Sequence, residues 1–150
     1  MTRINCIPPE YMLDEHVQAH LREGLRPLNK RREGKYRGKS NRVSYGLGKG
    51  HELWASEHLI FTVDMWKSYK VEWDSRGFRG YDYDPDYATL VDTPYWKDYK
   101  PTNKDCRHNL ARVCARWRKR KGVYHFHGKP IDTYADFMVY LEYVKGGLKL

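Results

Sequence analysis

An all-α fold is predicted for this 150-residue chain by three observations. Apolar side chains recur at helical spacing along several segments, Pro, Gly and Thr stand where those segments start and stop, and no stretch sustains the alternation of a strand. Aromatic residues make up 15% of the sequence, enough to supply the buried area that a disordered chain lacks. The predicted architecture is a compact single domain of about three main helices, with an extra C-terminal helix and long irregular connections.

Each element follows from local chemistry. Pro8-Pro9 suits a helix entry, and from Glu10 onward Leu13, Val17, Leu21 and Leu25 form an apolar i+4 row that Pro27 ends. Residues 30–50 mix glycines with many cations and few aliphatics, which fits either a solvated flexible loop or a loop held near an anion. Leu53, Trp54, Phe61, Met65, Trp66, Tyr69 and Trp73 recur at helical spacing and predict one long helix over 52–76, its aromatic stripe in the core and Gly77 at its C′ position. Residues 78–101, rich in Tyr, Asp and Pro, are expected to be irregular. Thr102 as N-cap with Asp105 three residues on opens the third main helix, whose buried face is Leu110, Val113, Cys114 and Trp117 and whose stop is Gly122. The last helix, over 134–145, follows Thr133 and carries Phe137, Met138, Leu141 and Val144 inward.

Several classes are disfavoured at once. No apolar run approaches the roughly 18 residues of a membrane span, and the N-terminus lacks a signal-peptide core, so a cytoplasmic protein with no membrane partner is expected. Cys6, Cys106 and Cys114 are odd in number and form no CxxC, which predicts reduced thiols. Cys106-Arg107-His108 and His125-Phe126-His127 are half-sites without a second pair at zinc-finger spacing. Asp82, Asp84 and Asp86 imitate a calcium loop, but Tyr87 and Thr93 stand where that loop needs Gly and Glu. Neither a metal nor another cofactor is expected.

The net charge of +9, from 28 Lys+Arg against 19 Asp+Glu, favours a polyanionic partner. Within the first predicted helix, His16 and Glu23 lie within roughly 20° of each other, with Arg26 and Arg22 further round. That face is either an ordinary solvated one or a phosphate grip that aims one carboxylate at a sugar. Arg112, Arg116 and Arg120 at i+4 spacing form a cationic ridge that makes more sense facing an anion. The run Tyr124-His125-Phe126-His127-Gly128-Lys129 interleaves rings with donors, suited equally to stacking on unpaired bases and to structural packing. Thr2 is small enough for Met1 to be removed, which would expose an α-amine of reference pKa about 8, well below the roughly 10.4 of lysine. Such an amine can attack an anomeric carbon and form a Schiff base.

Together these residues resemble the phage pyrimidine-dimer DNA glycosylase/AP lyases of the endonuclease V type. The resemblance rests on Thr2-Arg3-Ile4-Asn5, His16 and Arg22-Glu23-x-x-Arg26, then Gly48-Lys49-Gly50-His51, Arg76-Gly77-Phe78 and His127-Gly128-Lys129-Pro130-Ile131, in that order. It covers about residues 1–131 as the repair domain and leaves 132–150 as a C-terminal helical extension packed on it. The resemblance implies a monomeric all-α enzyme acting on double-stranded DNA that contains damaged bases. Thr2 would attack the sugar, Glu23 would stabilise the cationic sugar and move protons, and a β-elimination would nick the strand. Arg3, Arg22 and Arg26 would hold phosphates at a kinked duplex, His16 would line the site, and Arg112, Arg116 and Arg120 would grip the backbone beside Tyr124 and Lys129. The base opposite the lesion would be flipped into a protein pocket. Val123-Tyr124-His125-Phe126-His127 departs from the family's Trp-Tyr-Lys-Tyr-Tyr run, which leaves the excised base open between pyrimidine dimers and another damaged or modified base. The alternatives are a non-catalytic DNA-binding module and a metal-dependent nuclease.

Overall fold

The computed structural model describes residues 3–150. Helices α1 (Asp14–Glu23) and α2 (Arg26–Arg32) are followed by a long loop, α3 (His51–Ser56) and α4 (Leu59–Ser75). An irregular stretch with one 3-10 turn at Ala88–Leu90 leads to α5 (Asn103–Arg118), a hairpin of β1 (Tyr124–Phe126) and β2 (Lys129–Ile131), and α6 (Tyr134–Leu148). None of these helices is long and apolar enough to cross a membrane. The described cysteines are free thiols, Cys6 and Cys106 buried and Cys114 half-buried.

The aromatic stripe of α4 is the core. Trp66 and Tyr69 are fully buried, and each carries a polar handle that needs a partner once desolvated. The Trp66 indole N–H donates to the Leu21 carbonyl at 2.9 Å and the Tyr69 hydroxyl to the Ile7 carbonyl at 2.6 Å. These two bonds fasten α1 and the N-terminal segment to α4. At the other side Trp117 and Phe137 stack with centroids 4.2 Å apart, and the Trp117 indole donates to Ile131 at 2.8 Å, so α5, β2 and α6 close as one unit.

Local signals place the caps well. Thr102 accepts from the Asp105 amide while the Asp105 carboxylate accepts from the Thr102 amide, a reciprocal capping box. Thr133 caps α6 through the Asp136 amide. Gly77 takes φ +84° directly after α4, the left-handed conformation that the C′ position favours.

Several elements differ from the sequence expectation, beginning with the first helix, which starts at Asp14 after a 3-10 turn at Pro9–Tyr11 rather than from Glu10. Pro27 does not end a long first helix but sits in the first turn of α2, where its missing N–H costs nothing, and α2 continues into the segment expected to be loop from residue 30. The helix expected over 52–76 is two helices, because the Leu59 and Ile60 amides donate to the Tyr95 and Lys97 carbonyls instead of to the preceding turn. The third main helix stops at Arg118 rather than running to Gly122, while the last reaches Leu148 rather than Lys145. Residues 124–131, expected to lack strand structure, pair as an antiparallel hairpin, Tyr124 opposite Ile131 and Phe126 opposite Lys129. His127 and Gly128, with φ of 50° and 78°, form its two-residue turn, the left-handed geometry that matches strand twist.

Acidic side chains in the first turn of α1 hold this hairpin. Asp14 accepts from the His127 amide at 3.1 Å and from the Gly128 amide at 2.8 Å, and Glu15 accepts from the His125 amide at 2.9 Å. Asp14 is in turn ion-paired with Arg76 at 2.7 Å, whose side chain is only 1% exposed and also meets Glu72 at 2.7 Å. The hairpin, α1 and the end of α4 therefore share one buried polar junction.

Candidate functional site

The site grows from the five residues after Thr2. Arg3 to Ile7 run between α1 and α5, and four of their five amides donate to side chains. The Arg3 amide donates to a Glu23 carboxylate oxygen at 2.9 Å, the Asn5 amide to His20 Nδ1 at 3.2 Å, and the Cys6 and Ile7 amides to the Asn109 side-chain carbonyl at 2.9 and 3.2 Å. Tyr45, reaching in from the long glycine-rich loop, donates its hydroxyl to the Ile4 carbonyl at 2.6 Å. Thr2, the expected nucleophile, lies outside the described residues, and its carbonyl carbon is bonded to the Arg3 nitrogen that Glu23 holds.

Beside this segment a small recess is lined by Arg3, Asn5, His16, Leu47, Arg112 and Arg116 among others. Three guanidinium groups thus converge with few carboxylates near them. Burial, followed by the charges of Arg3 and Arg112, lowers the Arg116 guanidinium from its ordinary value, while Tyr124 and Glu23 act in the opposite sense. A cluster of like charges at a recess favours an anion that would neutralise it. Adjacent to it, Arg112, Arg116, Lys119, Arg120, Lys121 and Tyr124 line a second, more open groove along α5.

His16 does not lie on the solvated polar face expected of it. It is 3% exposed and neither ring nitrogen has a hydrogen-bond partner among the described residues. Tyr124 packs edge-on against it, centroids 5.2 Å apart. Burial, with Arg3 and Arg116 nearby, lowers its pKa from 6.5 to about 3; burial alone does the same to His20. His16 is therefore a neutral, donor-bearing wall of the recess rather than a cation.

The two histidines carry a pH prediction. Unfolding returns both to the ordinary value of 6.5, so between pH 6.5 and about 3 the unfolded chain binds protons that the folded one does not. Stability is complete above pH 6.5 and falls as the pH drops, by about 1.4 kcal/mol per histidine for each unit. Urea midpoints at pH 7 and pH 5.5 should differ accordingly, and a double His16→Gln, His20→Gln variant should lose most of that difference. An equal midpoint shift in the variant would refute it.

The remaining expected residues divide. Glu23, with a side chain 14% exposed, closes α1, and Arg26 opens α2 with its guanidinium 4.0 Å from Glu23. Arg22 is exposed on the same turn. Arg112 and Arg116 join the recess, and Arg120, which lies beyond the helix end, lines the adjacent α5 groove with them. There it donates to the Trp117 carbonyl at 2.8 Å and to Asp132, and its guanidinium stacks over the Trp117 ring at 3.7 Å. Lys129 is exposed on β2, outside both the recess and the α5 groove. His20, Tyr45, Leu47 and Asn109 were not singled out from sequence, and Asn5 only as part of the N-terminal signature. Only His20, three residues before Glu23 and thus on its face, carried a local signal. Among the described residues no group of three His, Cys, Asp or Glu side chains is arranged to hold a metal ion. Searches of protein-family models and of curated proteins return no match for this chain.

Proposed function

We propose that the protein is a DNA glycosylase/AP lyase that acts on duplex DNA carrying pyrimidine dimers or a related damaged base, with the α-amine of Thr2 as nucleophile. The observation that carries this reading is the bond from the Arg3 amide to Glu23, which couples a carboxylate to the residue next to the proposed nucleophile. The resemblance of Thr2-Arg3-Ile4-Asn5 and Arg22-Glu23-x-x-Arg26 to that enzyme family and the cationic recess of Arg3, Arg112 and Arg116 support it.

The chemistry proceeds through the sugar. The neutral amine of Thr2 adds its lone pair to C1′, the glycosidic bond breaks with its electrons leaving on the base, and the base takes up a proton. The attached nitrogen loses a proton, and its lone pair then opens the sugar ring: the C1′–O4′ bond breaks, O4′ takes up a proton, and the protonated imine forms at C1′. Removal of a C2′ proton then expels the 3′ phosphate, and water releases the enzyme from the sugar fragment. Glu23 supplies the negative charge that stabilises the cationic sugar and the acceptor for the C2′ proton. Arg3, Arg26, Arg112 and Arg116 take the flanking phosphates.

Borohydride reduction in the presence of EDTA tests this directly. An abasic-site duplex should be trapped as a covalent adduct that maps to residue 2, and acetylating the terminal amine should abolish it. A retained Met1, or an adduct insensitive to that block, would overturn the proposal. Arg116→Ala should weaken duplex binding and reduce the slope of log K against log salt by about one. The α5 groove favours a second reading, a DNA-binding module without catalysis; it requires that Glu23→Gln change neither nicking nor binding.

A further inference from the structure

We propose that His20 is a positioning residue that sets the register of the N-terminal segment, and with it the pairing of the Arg3 amide with Glu23. This rests on the glycosylase reading for its functional meaning, but its geometry stands apart from it.

His20 and Glu23 lie one turn apart on α1, and the two amides they accept from, Asn5 and Arg3, are two residues apart on the segment. The intervening Ile4 carbonyl goes to Tyr45 and the next amide, Cys6, to Asn109 on α5. Partners thus alternate from side to side, the pattern of an extended chain read by a helix at i, i+3. In such a pattern a slip of one residue would carry the wrong amide to Glu23. Glu23 alone does not prevent the slip, since one carboxylate accepts from any amide. A second contact two residues along does.

His20 is built for that single task. It accepts at Nδ1 from the Asn5 amide, with the Asn5 side-chain amide 3.4 Å away, so its proton is on Nε2. Its ring, 1% exposed, is stacked on Tyr69 at 4.0 Å with 17° between planes. Above it Gly24 leaves no room for a side chain, since a Cβ there would stand 2.5 Å from the His20 carbonyl oxygen, 2.8 Å from its Cδ2 and 2.9 Å from its Nε2. The same network continues through Asn5, whose side-chain oxygen accepts from Asn109 at 3.0 Å. Tyr69, the stacking partner, holds the Ile7 carbonyl at the segment's far end.

The test replaces His20 by Phe, which keeps the stacked ring and removes the acceptor, and by Gln, which keeps an acceptor. With the full chain and an abasic-site duplex, His20→Phe should leave the Kd within about threefold and lower the single-turnover nicking rate at saturating DNA by about tenfold to a hundredfold, the penalty of misplaced reacting groups. His20→Gln should recover much of that rate. Amide hydrogen exchange gives a readout independent of catalysis: protection of Arg3 and Asn5 should fall in His20→Phe while the α4 core stays protected. If His20→Phe does not fold, His20→Leu, which also lacks the acceptor and is smaller, is read the same way. Unchanged protection at Arg3 would overturn the proposal, as would a nicking rate equal to wild type in an active enzyme. Wild-type protein that never traps abasic DNA would refute the glycosylase reading instead, with the exchange result still deciding the register.

Discussion

Glu23→Gln should bind an abasic-site duplex about as tightly as the parent protein and nick it between a hundredfold and ten thousandfold more slowly, the range associated with loss of a positioned general acid–base. The substitution isolates charge from geometry. A glutamine oxygen still accepts from the Arg3 amide, so the 2.9 Å bond that holds the segment survives, and the side chain remains mostly buried against the Arg26 side of the turn. What is lost is the carboxylate's negative charge, which in the proposed mechanism faces a cationic sugar, and its ability to take a proton. Single-turnover nicking and borohydride trapping, measured beside a binding isotherm, separate the two effects. Trapping that persists while nicking stops would assign Glu23 chiefly to the elimination step. Parental rates in both assays would remove Glu23 from the mechanism.

Arg76→Met should cost about 3–5 kcal/mol of stability, the range found when one partner of a buried ion pair is removed. The Arg76 side chain is 1% exposed and every direction of its guanidinium is used. Nε donates to Glu72 at 2.7 Å, one terminal nitrogen to Asp14 at 2.7 Å and to the Met12 carbonyl at 2.8 Å, and the other to the Pro9 carbonyl at 2.9 Å. Methionine fills similar space but leaves two nearly buried carboxylates without their shared counter-charge. Arg76→Lys should recover only part of the loss, because a point charge cannot reproduce the planar fork. Urea denaturation followed by fluorescence of the core tryptophans measures both. The damage should also reach the site, since Asp14 holds the His127–Gly128 turn and the hairpin carries Tyr124 against His16.

The elements legible in the sequence are those whose cause is local. The capping box of Thr102 and Asp105, the glycine after α4, and the apolar faces Leu110-Val113-Trp117 and Phe137-Leu141-Val144 are decided by residues within a few positions of one another. The break between α3 and α4 was not legible, because its cause is a pair of carbonyls, Tyr95 and Lys97, that arrive from far along the chain. The hairpin was hidden for a similar reason. It is three residues a side, too short for alternation to be seen, and is held by carboxylates of α1.

By itself the sequence determined the helical class, most caps, and the stock of chemical groups: a small residue after Met1, one carboxylate among arginines, and a surplus of positive charge. Only the tertiary structure decided which of those groups meet and in what state of charge. It joined Arg3, Arg112 and Arg116 around one recess, laid Arg120 over Trp117 at the neighbouring groove, and buried His16 and His20 as neutral rings. The physical reason is that periodicity reports which way a side chain faces on its own element, whereas burial and ionisation depend on what the rest of the chain packs against that face.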